Sequence, residues 1–242
     1  ALRVVMTLLF EFARKGARLL RPFLRGLDAG RLLPREEFFD AFERLYEEVD
    51  DVQRILLDGD RTSARLVVNP ARVVVDETRR SFAYLSLYGV ATDAVLVNRV
   101  MPEAASGGYF NRWIEREREE IKRIEESFPV PVRKVALRSA EVIGVPALEV
   151  LARDVYGDED PAAMLSTGRP IRIRRAGGRM RLEVDLPGIS KEEIDVLLKG
   201  ADLHLRVRDG RRSIGLPDSL VGREITRVRL RDSTLEITFS GG

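Results

Sequence analysis

The chain of 242 residues is long enough for one large or two modest domains. Its formal net charge of +2 excludes a protein whose whole surface binds polyanions, so no nucleic-acid partner is expected. The absence of cysteine and the presence of one histidine exclude disulfides, cysteine nucleophiles and zinc sites built from several such ligands. No apolar run approaches the roughly 18 residues of a membrane span, so we expect a cytoplasmic protein.

Two amphipathic helices are predicted at the start of the chain. In the first, over residues 2–27, apolar side chains recur at steps close to 3.6, and Pro22 predicts a kink. Four arginines share another face, which we interpret as solvated: Arg14, Arg18, Arg21 and Arg25. The second helix starts at about Pro34 and ends at about Leu57. Six of its apolar side chains are expected inside the protein: Phe38, Phe42, Leu45, Val49, Val52 and Leu56.

Short apolar strands then alternate with helices. The strands are "ARLVV", "AVLVNRV" and "PVRKVAL". The helices are "PARVVVDETRRSFAYLSLYG", which ends at the predicted C-cap Gly89, then "YFNRWIEREREEIKRIEESF" and "VPALEVLARDVYG". This alternation predicts βαβ units and a parallel sheet, and the continuous apolar strands indicate that both of its faces are covered.

The composition changes at residues 157–168, "GDEDPAAMLSTG", which have the acidic and then small, polar character of a linker. Residues 169–240 alternate apolar and polar side chains between turn residues, which predicts an antiparallel β-sandwich. The predicted fold is therefore an α/β domain over residues 1–156, with a helical subdomain over residues 1–60, then a linker and an all-β domain.

The second predicted strand carries two polar side chains, Asn98 and Arg99, after the apolar run "AVLV". In open parallel sheets, ligands bind beyond the carboxyl ends of the strands. A side-chain amide offers a donor and an acceptor that match the N6 and N7 edge of adenine. Asn98 is therefore a candidate contact for a nucleotide base, and the alternative is an asparagine that caps a loop. Arg99 is a candidate for the same base or for a surface ion pair.

The stretch "VVNPARVVVDETRRSFAYLSLYGVATDAVLVNRVMP" combines an apolar strand, a turn led by Pro70, a helix with Glu77 and Arg80, Gly89, and a strand that ends in "VNR". In this order it resembles the second half of the ArsA/Get3 family. These are dimeric P-loop ATPases known as arsenite-pump ATPases and tail-anchored-protein targeting factors. The later stretch "VALRSAEVIGVPAL" is also similar, so the resemblance covers residues 1–156.

The resemblance implies ATP and Mg²⁺ as cofactors of a homodimer. It gives Asn98 the role of adenine contact and implies that the stretch from Leu137 through Arg138 to Glu141 forms the loop around the adenine. Family members usually carry a glutamate directly after the proline of the turn, and that glutamate approaches the nucleotide. Here the position is Ala71, so this contact is expected to be missing.

The family's P-loop, G-x-x-x-x-G-K-[ST], does not occur in the chain, which contains no Gly-Lys dipeptide. Because the amides and the lysine of that loop hold the phosphates, we do not expect this polypeptide alone to hydrolyse ATP, and no catalytic residue is assigned. We interpret the chain as a fragment of an ATPase that begins after the family's second switch segment. The rival interpretation is a genuine short protein that has lost its catalytic half.

The stretch "RLEVDLPGISKEEIDVLLKGADLHLRV" resembles the α-crystallin/Hsp20 sandwich, in which "DLPG" followed by an acidic "EEID" joins two strands. The stretches "RRSIGLP" and "STLEITF" are similar to its later strands. A sandwich of this kind is fused behind some bacterial members of the ArsA family, so the order of the two parts agrees with the first resemblance.

The leading hypothesis is the C-terminal portion of an ArsA/Get3-like ATPase that binds and hydrolyses ATP to drive transport or protein targeting. The implied partners are a second copy of the chain and a hydrophobic polypeptide client or membrane-protein partner. A client groove would be lined by six apolar residues of the first two helices: Met6, Leu9, Phe10, Phe38, Phe39 and Phe42. The alternative function is a non-catalytic, chaperone-like holdase or adaptor.

Overall fold

The computed structural model of the protein describes residues 11–13, 15, 16, 19, 36–105 and 108–241. The chain divides into two units, Ala1–Ile55 and Leu56–Gly242. Within the described residues, no helix has both the length and the apolar character needed to cross a membrane.

The first helix that is described at length, α1, spans Glu36–Leu57 and agrees with the second predicted helix. The six apolar side chains expected inside are instead 36–58% exposed, so that prediction is wrong. The physical reason is that a 3.6-residue period shows which face of a helix is apolar and does not show whether the chain covers it. Residues 11–13, 15, 16 and 19 are helical, while the predicted kink at Pro22 and the arginine stripe lie outside the described residues.

A three-stranded parallel sheet confirms the βαβ prediction. Its strands, in the order β1-β2-β3, are Ala64–Val68, Thr92–Val100 and Val132–Ala136. The helices that follow them are α2 (Arg72–Tyr88), α3 (Asn111–Ser127) and α4 (Val145–Tyr156). The core consists of buried apolar residues of the sheet, α2 and the end of α3: Val68, Val75, Phe82, Val95, Val97, Ile121, Ile124 and Phe128. Coverage is not complete on both faces, because Val67 of β1 is 60% exposed.

Seven antiparallel strands form the predicted sandwich. They are β4 (Ile171–Ala176), β5 (Arg179–Asp185), β6 (Ile194–Lys199), β7 (Asp202–Val207), β8 (Gly210–Gly215), β9 (Ile225–Arg231) and β10 (Thr234–Phe239). One sheet has the order β4-β5-β10-β9 and the other β6-β7-β8. The turn between β4 and β5 is Gly177 and Gly178, both with positive φ (57° and 77°), as a two-residue hairpin of type I′ requires. The single histidine, His204, is half-buried in β7.

Helix α2 contributes to two hydrophobic cores. One face carries Val75 and Phe82 into the core of the parallel sheet, while Ala83 and Leu87 belong to the core of the sandwich. The helix ends at Gly89, whose φ of 84° and hydrogen bonds to the last carbonyls of the helix confirm the predicted C-cap. The sandwich therefore packs directly on the crossover helix between β1 and β2.

Polar and close backbone contacts reinforce this packing. The Arg212 guanidinium on β8 donates a hydrogen bond of 2.8 Å to the Leu87 carbonyl oxygen. A Cβ at Gly210 would lie 3.0 Å from a methyl group of Leu87, and a Cβ at Gly188 would lie 3.0 Å from the Cβ of Arg79. Two glycines thus allow the sandwich backbone to approach α2.

A buried ion pair fastens the segment that precedes the sandwich, which the sequence indicates as a linker. Arg65 of β1 pairs with Asp93 of β2 at 3.1 Å, and the Asp93 carboxylate also accepts a hydrogen bond of 3.0 Å from the Leu165 amide. The Arg65 guanidinium donates hydrogen bonds of 2.5 Å to the carbonyl oxygens of Pro161 and Ala163. We call residues 161–165, held in this way, the strap.

Hydrogen bonding and burial shift the pKa of the Asp93 carboxyl group in opposite directions. Burial alone would raise the pKa of its carboxyl group, but the hydrogen bonds from Arg65 and from the Leu165 amide outweigh burial, and the pKa lies below its usual value. The same hydrogen bond raises the pKa of Arg65. Both groups therefore stay ionised near neutral pH, and the strap is held by a charged pair.

Candidate nucleotide site at the carboxyl edge of the parallel sheet

The carboxyl edge of the parallel sheet carries the predicted site residues. The three strands run in the same direction and end at Val68, Val100 and Ala136. The segments that follow them therefore leave the sheet from one edge. Loops at such an edge are not bound by the strand pattern and present their side chains to a ligand, while the strands below supply a rigid support.

A β-bulge lies at the predicted base-binding position. The pairing of β2 with β3 shifts between Val97 and Val100, and Asn98 and Arg99 together lie opposite a single residue of β3, Val135. Arg99 has a φ of 59°, in the left-handed region that residues other than glycine rarely adopt. A bulge of this kind bends the strand and redirects a side chain, and such bulges are over-represented next to active sites.

The bulge leaves both polar side chains available. The Asn98 amide is half-buried and makes no hydrogen bond to any residue that the structure describes. It therefore keeps a donor and an acceptor for a ligand. The Arg99 side chain is exposed, and no described carboxylate forms an ion pair with it.

The loop after β3 forms a backbone hydrogen bond to β2 at its first residue and an ion pair with α4 at the next residue. The Leu137 amide donates a hydrogen bond of 2.8 Å to the Val100 carbonyl oxygen, so the loop begins beside the bulge. The Arg138 guanidinium forms an ion pair with Asp154 of α4. Glu141 is exposed. The structure thus brings Leu137 next to the strand that carries the bulge, and it directs Arg138 to α4.

A cleft at the same edge was not predicted from the sequence. It has a volume of about 730 Å³ and lies between the turn after β1, the residue after β2 and the first half of α3. Its lining residues are Pro70, Ala71, Arg72, Met101, Phe110, Trp113, Arg116, Glu117, Glu119 and Glu120. The five predicted site residues are not part of this lining. The sequence signal that would have indicated the cleft is Trp113, the single tryptophan of the chain, which is 61% exposed on a strongly charged helix.

Hydrogen bonding fixes one wall of this cleft and leaves its arginines available. Glu117 accepts a hydrogen bond of 2.7 Å from the Met101 amide, which holds the chain after β2 against α3. Arg72 and Arg116 form no ion pair with any described residue. The cleft therefore combines aromatic surface with two guanidinium groups that can meet an anion or a carboxylate.

The described part of the chain gathers no cluster of three or more histidine, aspartate or glutamate side chains that could hold a metal ion. Mg²⁺ requires an octahedral set of oxygen ligands, several of them from water, substrate phosphates or carboxylates. The residues at the carboxyl edge do not fit such a site, and no catalytic step is assigned to them.

Comparison with known protein families gives two matches along the chain. Residues 1–157 match the family described as anion-transporting ATPase. Residues 177–239 match the HSP20-like domain found in ArsA. The two matches follow one another in the order of the parallel sheet and the sandwich.

Individual relatives carry related names. A putative arsenical pump-driving ATPase of Chlorobaculum tepidum is 34% identical over 208 residues, which cover 86% of this chain and 51% of the relative. The putative arsenical pump-driving ATPase 1 of Aquifex aeolicus is 37% identical over 214 residues, which cover 86% of this chain and 54% of the relative. An ATPase ASNA1 homolog of Trypanosoma cruzi is 31% identical over 119 residues, which cover 47% of this chain and 33% of the relative. The chain spans about half the length of the arsenical pump-driving ATPases that it matches.

Proposed function

The chain belongs to the anion-transporting ATPase family, and from this premise we propose that it forms the adenine-binding part of an ATPase that drives transport or protein targeting. The observation that supports this proposal is the half-buried Asn98 amide, which lies in a bulge at the carboxyl end of β2 and has no hydrogen-bond partner among the described residues. Its donor and acceptor complement the N6 and N7 edge of adenine.

The neighbouring residues have distinct roles in this proposal. Leu137, held beside the bulge by its bond to β2, packs against the face of the base. Arg99 contacts the base from the bulge, and its unfavourable backbone conformation is the cost of that orientation. Arg138 shapes the loop through its ion pair with α4, and Glu141 closes the loop.

The phosphates and Mg²⁺ are held by other residues of a full-length protein in this proposal. The chain has no Gly-Lys dipeptide, and it covers about half the length of relatives named as ATPases. The P-loop and the metal ligands would come from the remaining part. The chain itself would comprise an ATPase part over residues 1–156 and a sandwich over residues 169–240, and the whole protein would act in the cytoplasm.

We place the homodimer contact of this ATPase at the cleft on α3. Tyr109, Phe110 and Trp113 expose aromatic surface beside Arg72 and Arg116. Aromatic and arginine side chains are the residues enriched at the centres of protein interfaces. Because the cleft opens at the same edge as the bulge, a second copy bound there would lie next to the nucleotide.

The substitution Asn98→Ala tests the adenine assignment. Calorimetric titration of the full-length protein should show an ATP affinity about tenfold lower, since one or two hydrogen bonds to the base are lost. The affinity for GTP should change less, because guanine presents a different edge. The matched control is Gln53→Ala, which removes an exposed amide from α1. Unchanged ATP affinity and unchanged preference for ATP over GTP in Asn98→Ala would disprove the assignment.

A second candidate function, binding of an apolar polypeptide client, is favoured by the exposed apolar face of α1. Leu45, Val49 and Val52 are each more than half exposed on one side of this helix. Helices with such a stripe bind apolar segments in other proteins. The double substitution Leu45→Glu and Val49→Glu should abolish binding of a fluorescent apolar 20-residue peptide, whereas Glu47→Gln should not. Peptide binding that survives the double substitution would exclude this face.

A further inference from the structure

The outer face of one sandwich sheet is rich in arginine. In β5, Leu182 and Val184 point into the core, so Arg181 and Glu183 point outward. Register places further charged residues on the same outer face of the four strands. The arginines of this face are Arg172, Arg174, Arg179, Arg181, Arg227, Arg229 and Arg231. The carboxylates of this face are Glu183, Asp185 and Glu236.

One row across the sheet brings arginines together without a carboxylate. Arg174 lies opposite Arg181, Arg181 lies opposite Thr238, and Thr238 lies opposite Arg227. Like charges directly opposite on neighbouring strands destabilise a sheet. The facing arginines therefore repel each other, and the row itself contains no carboxylate to offset this repulsion. The short Thr238 side chain lies between two long ones, and a depression forms above it.

This depression is a cleft of about 350 Å³, which we call the arginine cleft. It is lined by Gly177, Arg179, Arg181, Thr226, Arg227, Arg229, Glu236 and Thr238. Four arginines thus face one carboxylate. The turn glycines carry no side chain, so the end of the cleft next to β4 stays open.

Ion pairs neutralise part of this face, including one arginine of the cleft, and three further arginines keep the arginine cleft positive. Arg172 is held by Asp185 at 2.6 Å, and Arg181 by Glu236 at 3.1 Å. Arg179, Arg227 and Arg229 have no carboxylate partner among the residues that the structure describes. In addition, the Arg181 Nε atom is buried and has no hydrogen-bond acceptor among the described residues. A buried donor without an acceptor is costly, and this cost adds to that of the opposed arginines.

We propose that the arginine cleft binds a small polyvalent phosphate, of the size of a di- or triphosphate. The planar guanidinium fork matches phosphate oxygens, and several forks around one depression suit a ligand with several phosphate groups. The volume lies at the lower end of small-molecule sites, which fits a compact anion and is too small for a protein domain. The polar lining offers no surface for an apolar peptide. The small net charge of the whole chain is compatible with such a site, because the excess of positive charge is confined to the arginine cleft.

The site is separate from the carboxyl edge of the parallel sheet and does not depend on the proposed function. It lies on the outer face of the sheet β4-β5-β10-β9, whereas Asn98 lies in β2 of the parallel sheet. A nucleotide triphosphate, a free polyphosphate and a lipid headgroup share the phosphate chemistry. Among these sources, we assign a soluble phosphate to the arginine cleft, because the cleft is compact and has a polar lining.

The test is calorimetric titration of the full chain with sodium tripolyphosphate at low salt. Binding is expected, and Arg227→Gln and Arg229→Gln should each weaken it about tenfold, because each removes one charge-assisted contact. Both side chains are exposed, so the variants should keep the unfolding midpoint of the wild type. The matched control is Arg175→Gln. Arg175 pairs with the core residue Met180 and therefore lies on the other side of the sheet, so affinity should change less than twofold.

Three results would overturn the proposal. The first is the absence of tripolyphosphate binding, or an equal loss in Arg175→Gln and Arg227→Gln. The second is equal affinity for a hexaglutamate peptide, which would show a general acidic-partner surface. The third is binding to vesicles that contain phosphatidic acid without binding to tripolyphosphate, which would show a membrane surface. With ATP as titrant, Arg227→Gln and Asn98→Ala should weaken two distinguishable binding events, so failure of one site leaves the other testable.

Discussion

The Arg212 guanidinium donates a hydrogen bond of 2.8 Å to the Leu87 carbonyl oxygen and thereby joins the sandwich to the last turn of α2. The last carbonyls of a helix lack partners within the helix and form the negative end of its dipole. A cation is favourable there, although burial lowers the pKa of Arg212 below its usual value. This single contact links residues that are 125 positions apart in the chain.

Replacement of Arg212 by methionine should destabilise the protein by about 1–3 kcal/mol, because the substitution leaves the Leu87 carbonyl oxygen without its donor. Urea unfolding at pH 7 measures the change in the free energy of unfolding. The control is Arg211→Met, which alters the preceding residue on the exposed face of β8 and should cost less than about 0.5 kcal/mol. Equal effects of the two substitutions would show that the bond does not stabilise the docked sandwich.

Gly89→Ala should also destabilise the protein, by about 1–2 kcal/mol. Its φ of 84° is unfavourable for any residue with a Cβ, and a Cβ at this position would lie 2.5 Å from Nη1 of Arg212. In the double variant with Arg212→Met, Gly89→Ala should lower the free energy of unfolding by less than it does alone, because the clash with the Arg212 side chain is gone. The effects of the two substitutions should therefore not add. Strict additivity in urea unfolding would contradict the proposed contact.

The Asp93 carboxylate should make the protein sensitive to acid. Its pKa is lowered in the folded state, so the ionised group stabilises the fold above its unfolded pKa of about 4, and this stabilisation is lost as the pH falls through the lower folded value. Asp93→Asn should reduce the free energy of unfolding at pH 7 by roughly 1.5–3 kcal/mol, because Arg65 loses its charged hydrogen-bond partner. The difference in free energy of unfolding between Asp93→Asn and the wild type should become smaller below pH 4.

Hydrogen exchange of the Leu165 amide gives a local measure of the same interaction. This amide donates to Asp93, so its exchange should accelerate in Asp93→Asn. Asp195→Asn is the control, since it removes a carboxylate from an exposed ion pair with Arg206 and should leave Leu165 unaffected. Unchanged exchange in Asp93→Asn would mean that the strap is held by other contacts.

The bulge at Arg99 predicts a specific order among substitutions. Arg99→Gly should be more stable than Arg99→Ala by about 1 kcal/mol, because alanine keeps the Cβ that disfavours a φ of 59° and glycine does not. Thermal unfolding of the two variants measures this difference directly. If Arg99 contacts the base, both variants should also lose ATP affinity by a similar factor. A glycine variant less stable than the alanine variant would contradict the left-handed conformation.

Local patterns predicted the elements of the second unit because each pattern has a local physical cause. The apolar strands, the period of the helices and the glycine at the end of α2 follow from residues close in sequence. The sequence pattern of α1 was equally clear, yet its apolar side chains are exposed. Whether a face is covered depends on distant parts of the chain, which a helical period does not encode.

The candidate site was predictable in its position and not in its detail. The carboxyl end of the strand that carries Asn98 followed from the rule for parallel sheets. The bulge did not, since it depends on the register between β2 and β3. The residues at 157–168 have the composition of a linker, but composition could not reveal that Arg65 and Asp93 bind part of this segment.

The double role of α2 has a consequence for how this protein could gain or lose its sandwich in evolution. Ala83 and Leu87 are fully buried in the core of the sandwich, so a version of the protein without that domain would expose them to water. Relatives that lack the sandwich should therefore carry polar residues at these two positions. The two parts are consequently not interchangeable modules, because each depends on α2 for part of its core.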